Sequence, residues 1–265
     1  MALDAATLIF GNLGLLALCF IALWALSLRV KDASIIDIFW GPACALCAVF
    51  TVIRTGDLAP RPLLLTVLVS VWGARLAVHL GRRNLGHGED YRYQTMRQRR
   101  GPYRDFALWS LVWVYGLQCL IAWFVSLPVQ IGQLGGPQEL GALAIIGLMI
   151  FAVGLLFEAV GDEQLRRFKR NPNNAGRLMT AGLWSWTRHP NYFGDALVWA
   201  GLAVIALESP IGWAAVLSPI VMTYFLVVVS GKALLERRLE KKYPDYAAYR
   251  ARTSGFFPTP PRRAS

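Results

Sequence analysis

From Asp4 to Arg29 the chain carries no charge, and the apolar run between them, about 6 to 28, is long enough to cross a bilayer as one helix. Further segments read the same way at about 33 to 53, 62 to 81, 107 to 128, 140 to 160, 191 to 207 and 211 to 230, the one at 191 to 207 being short. With 55% hydrophobic residues and a mean hydropathy of +0.43, a chain of 265 residues is far too apolar for a soluble domain. The fold expected is all-α and integral to the membrane: one polytopic domain over residues 1–265 with seven transmembrane helices. The first run lacks a basic leading segment, so it reads as a span and not as a cleavable signal.

The net charge of +11 is unevenly placed. Lys and Arg number seven between residues 82 and 104, six between 161 and 190 and nine from 231 onward, whereas the loops after the fourth and sixth spans contain none. Cytoplasmic loops collect Lys and Arg, so the N-terminus is assigned outside, and loops 82–106 and 161–190 with the tail 231–265 form the cytoplasmic side. The only basic residues this leaves outside are Arg54 and Arg61. A topogenic signal accounts for part of the excess, but not for the Asp, Asn and His mixed with arginine in all three cytoplasmic segments. No nucleic-acid module accompanies the charge, which leaves an anionic ligand or lipid headgroups and argues against nucleic acid. Cys19, Cys44, Cys47 and Cys119 all fall inside spans and read as packing residues, with no metal site and no disulfide expected.

Chemistry concentrates in residues 176 to 195, G-R-L-M-T-A-G-L-W-S-W-T-R-H-P-N-Y-F-G-D. Arg177, Arg188, His189, Asn191, Tyr192 and Asp195 bring charge, planar hydrogen bonding and a titratable ring to the edge of a bilayer. Such groups are costly there unless they pair or bind something. A cap at Pro190 and an aromatic belt of Trp184, Trp186 and Tyr192 explain part of the run, but not Asn191 and Asp195.

Other candidates lie along the same side. Asp37 stands about a turn into the second span, before Trp40-Gly41-Pro42, where the proline is expected to break the helix. A carboxylate beside a freed carbonyl can serve a buried site, or it can cap the helix dipole. Arg75 and His79 share a helical face and lead to Arg83 and Asn84; this face can hold a phosphate, or Arg75 can pair with Asp37. In the loop from 84 to 105, with a helical piece at about 91 to 100, His87, Glu89, Asp90, Tyr91 and Tyr93 supply proton donors, unless the loop is simply a solvated one. The fifth span is expected to run on to Lys169, with Glu158, Asp162 and Arg166 on one face. Acid followed by base suits a nucleotide's sugars and phosphates, and an Asp162–Arg166 helix pair is the plainer reading. Lys232 and Glu236 sit at the start of a charged tail helix running from about 231 to 250.

W-G-A-R-L at 72 to 76, E-D-Y-R-Y at 89 to 93, T-R-H-P-N-Y-F-G-D at 187 to 195 and the tail L-E-R-R-L-E-K-K-Y-P-D-Y-A-A-Y with F-F-P resemble the bacterial branch of the steroid 5-alpha-reductase family, once catalogued as a domain of unknown function. The likeness covers nearly the whole chain. The R-H-P-x-Y-x-G element is also similar to that of isoprenylcysteine carboxyl methyltransferases. The resemblance implies a seven-helix protein that binds NADPH at its cytoplasmic side. It would reduce the carbon–carbon double bond of a 3-oxo-4-ene steroid or similar lipophilic enone, as a 3-oxo-5-alpha-steroid 4-dehydrogenase does. By position it implies nucleotide contacts from Asp162, Arg166, Lys169, Arg177 and Asn191. Lys232 and Glu236 fall where animal relatives have His and Tyr, Asp37 near the catalytic glutamate, and Trp72 at the catalytic tyrosine. A monomer in a bacterial inner membrane is expected, contacting membrane lipid and a lipophilic substrate.

Three functions follow. The first is the NADPH-dependent reductase, with Asp37, Tyr91 and His87 catalytic and Asp37 kept protonated by desolvation. Its cofactor contacts would be Arg75, His79, Arg83, Asn84, Glu158, Asp162, Arg166, Lys169, Arg177, His189, Asn191, Tyr192, Asp195, Lys232 and Glu236. The second is an S-adenosylmethionine-dependent methyltransferase of a lipophilic substrate, for which so many arginines have no use. The third, a transporter or scaffold, fits poorly because the charges gather on one side and not at the midplane.

Overall fold

A computed structural model describes residues 4–101, 103–135, 139–229 and 232–261. Among these residues the chain is helical, with no strand beyond an isolated bridge between Thr187 and Ser254. All seven apolar segments form helices, but six are long and apolar enough to cross a membrane. The exception is the segment expected at 191 to 207, whose helix, Pro190–Ala206, has 17 residues. Pro190 starts it, and Glu208-Ser209-Pro210 follows its end. The protein is a multi-pass membrane protein folded as two compact units.

The first unit comprises residues 1–144 and 205–215. Helix α1 (Ala5–Val30) is capped by Asp4, which accepts from the Thr7 N–H at 2.6 Å. Helix α2 (Ile35–Thr55) runs through Pro42 without the expected break. In a span, interrupting the helix would strand further backbone groups, so the proline is absorbed inside it. Beside it, α2 and α3 (Pro60–Asn84) touch backbone to backbone at Gly41 and Gly73, where a methyl on either residue would overlap the other helix. A short helix α4 (Tyr91–Arg100) occupies the loop, as its sequence predicts. The fourth span is α5 (Tyr103–Ser110), a π-helical stretch at Leu111–Gly116, and α6 (Leu117–Val125), followed by the short α7 (Leu127–Ile131).

Indole donors tie these helices together. Trp24 donates to the Ala107 carbonyl at 3.1 Å and Trp123 to that of Ile9 at 2.8 Å. Arg61, assigned outside from the sequence, is fully buried and donates to the carbonyls of Gly132, Gly135 and Glu208. It is a structural staple, its charge taken up by backbone carbonyls.

The second unit comprises residues 145–204 and 216–265. Helix α8 (Ala142–Arg170) extends well past a bilayer's thickness, and the brief α9 (Leu183–Trp186) leads into α10 (Pro190–Ala206). A seam of glycines lets α8 and α10 cross closely. Gly154 meets Gly194 and Val198, Gly201 meets Gly147 and Phe151, and Gly161 meets Pro190. Next comes α11 (Leu217–Tyr224), with a π-helical extension to Val229. The tail predicted as one charged helix is two, α12 (Lys232–Lys242) and α13 (Tyr246–Arg252), because Pro244 cannot continue a helix.

Candidate functional site

In the first unit the polar residues gather around Asp37, in the first turn of α2. Its carboxylate accepts from Arg92 Nη2 at 2.5 Å and from the Tyr93 hydroxyl at 2.7 Å. Gln118 Nε2 donates to that hydroxyl at 3.3 Å, and Trp40 Nε1 donates to Gln118 Oε1 at 2.7 Å. Asp90 caps α4 and accepts from the Arg92 backbone and guanidinium. Glu89 ties α4 to the start of α2 by accepting from the Ala33 N–H and from Arg97, whose guanidinium lies 4.1 Å from the centre of the Phe106 ring. Burial opposes the charge on Arg92, yet Asp37 and Asp90 raise its pKa above the ordinary arginine value. Burial and the neighbouring Asp37 carboxylate push the Tyr93 phenol well above its usual range.

Two expectations change here. Asp37 pairs with the guanidinium of Arg92, 2.5 Å away, where the sequence offered Arg75 as its partner. The tyrosine on it is Tyr93, 4% exposed, while Tyr91 is 52% exposed. Two residues apart on α4, the side chains point to different sides. His87 is exposed, with Nδ1 3.0 Å from the Leu85 carbonyl. Arg75 and His79 are half-buried on α3, and Arg83, exposed, donates to the buried Asn84 at its end.

In the second unit the glycine seam sets Glu158 and Asp162, both buried, on the face of α8 turned to α10. Asn191 Nδ2 donates to Asp162 Oδ1 at 3.1 Å. Arg166 does not make the helix pair expected with Asp162: its fork lies on Glu163 at 2.6 and 2.7 Å, and Arg167 joins the same carboxylate. Side chains at 162 and 163 diverge by about 100° around the helix, so one acid turns to the seam and the other to the basic edge. Lys169 and Arg177 are exposed, and Asp195 and Tyr192 half-buried.

A second cluster centres on Glu236 of α12. Arg188 donates to it through Nε at 3.0 Å, and His189 Nε2 lies 2.9 Å from Glu236 Oε1. Arg188 also donates to the carbonyls of Thr253 and Arg250, and its N–H donates to the Ser254 carbonyl. Further along the tail, Thr187 Oγ1 donates to the Phe256 carbonyl, and Tyr249 hydroxyl to that of Trp184 at 2.5 Å. Gly255 leaves room for Lys232 and Arg188, which a Cβ there would meet. Burial by itself would raise the Glu236 pKa, but hydrogen bonds from His189 and Arg188 hold it down at about 2. Burial lowers the His189 pKa despite that carboxylate, so the ring is neutral at pH 7. Arg188, His189 and Glu236 are all candidates in the sequence; that Glu236, 47 residues from His189, is the acid on which the other two meet is what the structure adds.

Fold and clusters together define a helical membrane protein with acids, amides and bases set at helix ends. The chain belongs to the family described as "protein of unknown function (DUF1295)", whose model matches residues 23–253. It is 28% identical over 265 residues to the uncharacterized protein C594.04c of Schizosaccharomyces pombe, covering 89% of this chain and 75% of that one. It is 29% identical over 143 residues to the Delta(14)-sterol reductase of Ascobolus immersus (48% of this chain, 29% of the reductase). A shorter likeness, 41% over 70 residues, links it to the probable O-methyltransferase ustE of Ustilaginoidea virens (26% of this chain, 25% of the other). Another sterol reductase matches over 143 residues and a steroid 5-alpha-reductase over 62. The chain spans under a third of the sterol reductases' length.

Proposed function

We propose that this protein is an NADPH-dependent reductase of the carbon–carbon double bond of a lipophilic enone, a 3-oxo-4-ene steroid or a similar molecule. The observation that carries the reading is the homology to sterol reductases, joined to buried acceptors and exposed cations along one helix, α8. Those donors and acceptors fit a dinucleotide. Exposed Arg167, Lys169, Arg170 and Arg177 suit phosphates, while buried Glu158 and Asp162, the latter positioned by Asn191, suit hydroxyls or an amide. NADPH would supply the hydride. The chain's residues must stabilise charge developing on the carbonyl oxygen. Arg92 and the Tyr93 hydroxyl both donate to Asp37, so in this reading the role expected of Tyr91 passes to Tyr93, with Gln118 Nε2 as a second donor. The raised pKa keeps the Tyr93 phenol protonated, so that it has a hydrogen to give.

The same reading has seven membrane crossings, an outside N-terminus and a cytoplasmic tail. The relatives named are fungal, and they lend no support to the bacterial inner membrane expected from the motifs. A methyltransferase is the second reading, favoured by the short likeness to ustE. Thermal shifts of the purified protein in nanodiscs, with NADPH and S-adenosylmethionine side by side, decide between them. Stabilisation by NADPH is expected; stabilisation by S-adenosylmethionine alone would reverse the assignment. Mass spectrometry of co-purifying lipids would then identify the substrate class.

A further inference from the structure

His189 is 1% exposed, and its ring is held on three sides. Its plane is set by Tyr192, which stacks on it at 5.3 Å with an interplanar angle of 6°. Its backbone N–H donates to Thr187 Oγ1 at 3.3 Å and its carbonyl accepts from the Phe193 N–H at 3.0 Å. Its Nε2 meets Glu236 Oε1 at 2.9 Å. The fourth position, Nδ1, is buried and makes no hydrogen bond with any described residue.

A carboxylate only accepts, so the hydrogen between Nε2 and Glu236 belongs to Nε2, and a neutral ring then carries none on Nδ1. Glu236 is kept ionised by Arg188, which donates to both of its oxygens. We propose that Glu236 is a positioning residue that fixes the His189 tautomer, leaving Nδ1 as the acceptor for a hydroxyl or amide N–H of the bound cofactor. This rests on the reading that the second unit recognises a dinucleotide. It also restricts that reading: a phosphate oxygen has nothing to donate, so the phosphates lie away from His189 and an uncharged donor group lies on it. Arg188, Lys232, Tyr246 and Tyr249 also face the cluster, and none of them is hydrogen-bonded to Nδ1.

The test is nitrogen NMR of the full chain in nanodiscs with 15N-labelled histidine, a His189→Gln variant assigning the resonance among the three histidines. Expected is a neutral ring with hydrogen on Nε2, retained in Glu236→Gln, whose amide carbonyl still accepts, and redistributed in Glu236→Ala. NADPH and adenosine should each shift the Nδ1 resonance in the direction of an accepted hydrogen bond, and inorganic phosphate should not. His189→Gln should weaken NADPH roughly tenfold, the cost of one buried hydrogen bond. Hydrogen on Nδ1, a shift with phosphate alone, or no shift with either nucleoside would overturn the proposal. NADPH that binds by thermal shift while Nδ1 stays unmoved overturns it and leaves the reductase reading standing. Adenosine that moves Nδ1 in protein that does not bind NADPH does the reverse.

Discussion

Around Asp37 the polar groups close on one another, from Trp40 through Gln118 and Tyr93 to the carboxylate and Arg92, whereas around Glu236 a ring nitrogen of His189 is left over. Both clusters put an arginine and a ring on one carboxylate. They differ in burial: Arg92 is 44% exposed as a side chain, Arg188 only 9%. A solvent-reachable pair can be rearranged at low cost when a ligand arrives, so the first cluster suits groups that must re-aim. The buried pair is costly to break, and its leftover acceptor suits a contact that leaves it in place.

The comparison can be broken most severely at Glu236. Glu236→Leu should cost about 3–5 kcal/mol in unfolding free energy, because Arg188 would stay buried without its carboxylate. Chemical unfolding in nanodiscs measures this; a loss below about 1 kcal/mol would put the pair in the surface class. Tyr93→Phe should lower turnover about a hundredfold with NADPH affinity unchanged, and Tyr91→Phe should leave turnover nearly intact. Equal effects of the two would remove Tyr93 from the chemistry. Gly194→Ala should destabilise by about 1–3 kcal/mol, since the added methyl meets the α8 backbone, whereas Ala at the open Gly14 should be silent. Asp37→Asn should cost about 1 kcal/mol or less, as Asp90 still holds Arg92.

The smallest effect is on the acid limb. The folded Glu236 pKa of about 2 lies below the ordinary value of 4.5, so its contribution is complete above 4.5 and is lost as the pH falls through about 2. Glu236→Gln should flatten the fall of the unfolding midpoint across that interval, and an unchanged slope would show that other carboxylates set it.

Much of the framework was legible because hydropathy and breaker residues report local structure. The helix at Tyr91–Arg100 and the extension of α8 to Arg170 stand where the sequence puts them. What failed was rotation and tertiary pairing. Which of Tyr91 and Tyr93 turns inward, and which of Asp162 and Glu163 meets Arg166, depends on a phase around the helix that a juxtamembrane amphipathic pattern leaves open. Glu236 reaching Arg188 and His189 is a contact between segments far apart in sequence, invisible to spacing. Pro42 misled because helix-breaking rules describe chains in water, where a freed carbonyl finds solvent.

The glycines facing each other on α8 and α10 recur every seven residues, at 147, 154 and 161 on one helix and at 194 and 201 on the other. A helix notched in this way cannot creep along its neighbour. Sliding to the next fit takes a leap of two full turns, about 10 Å, so the depth at which Asn191 presents Asp162 works like a ratchet tooth and not a dial.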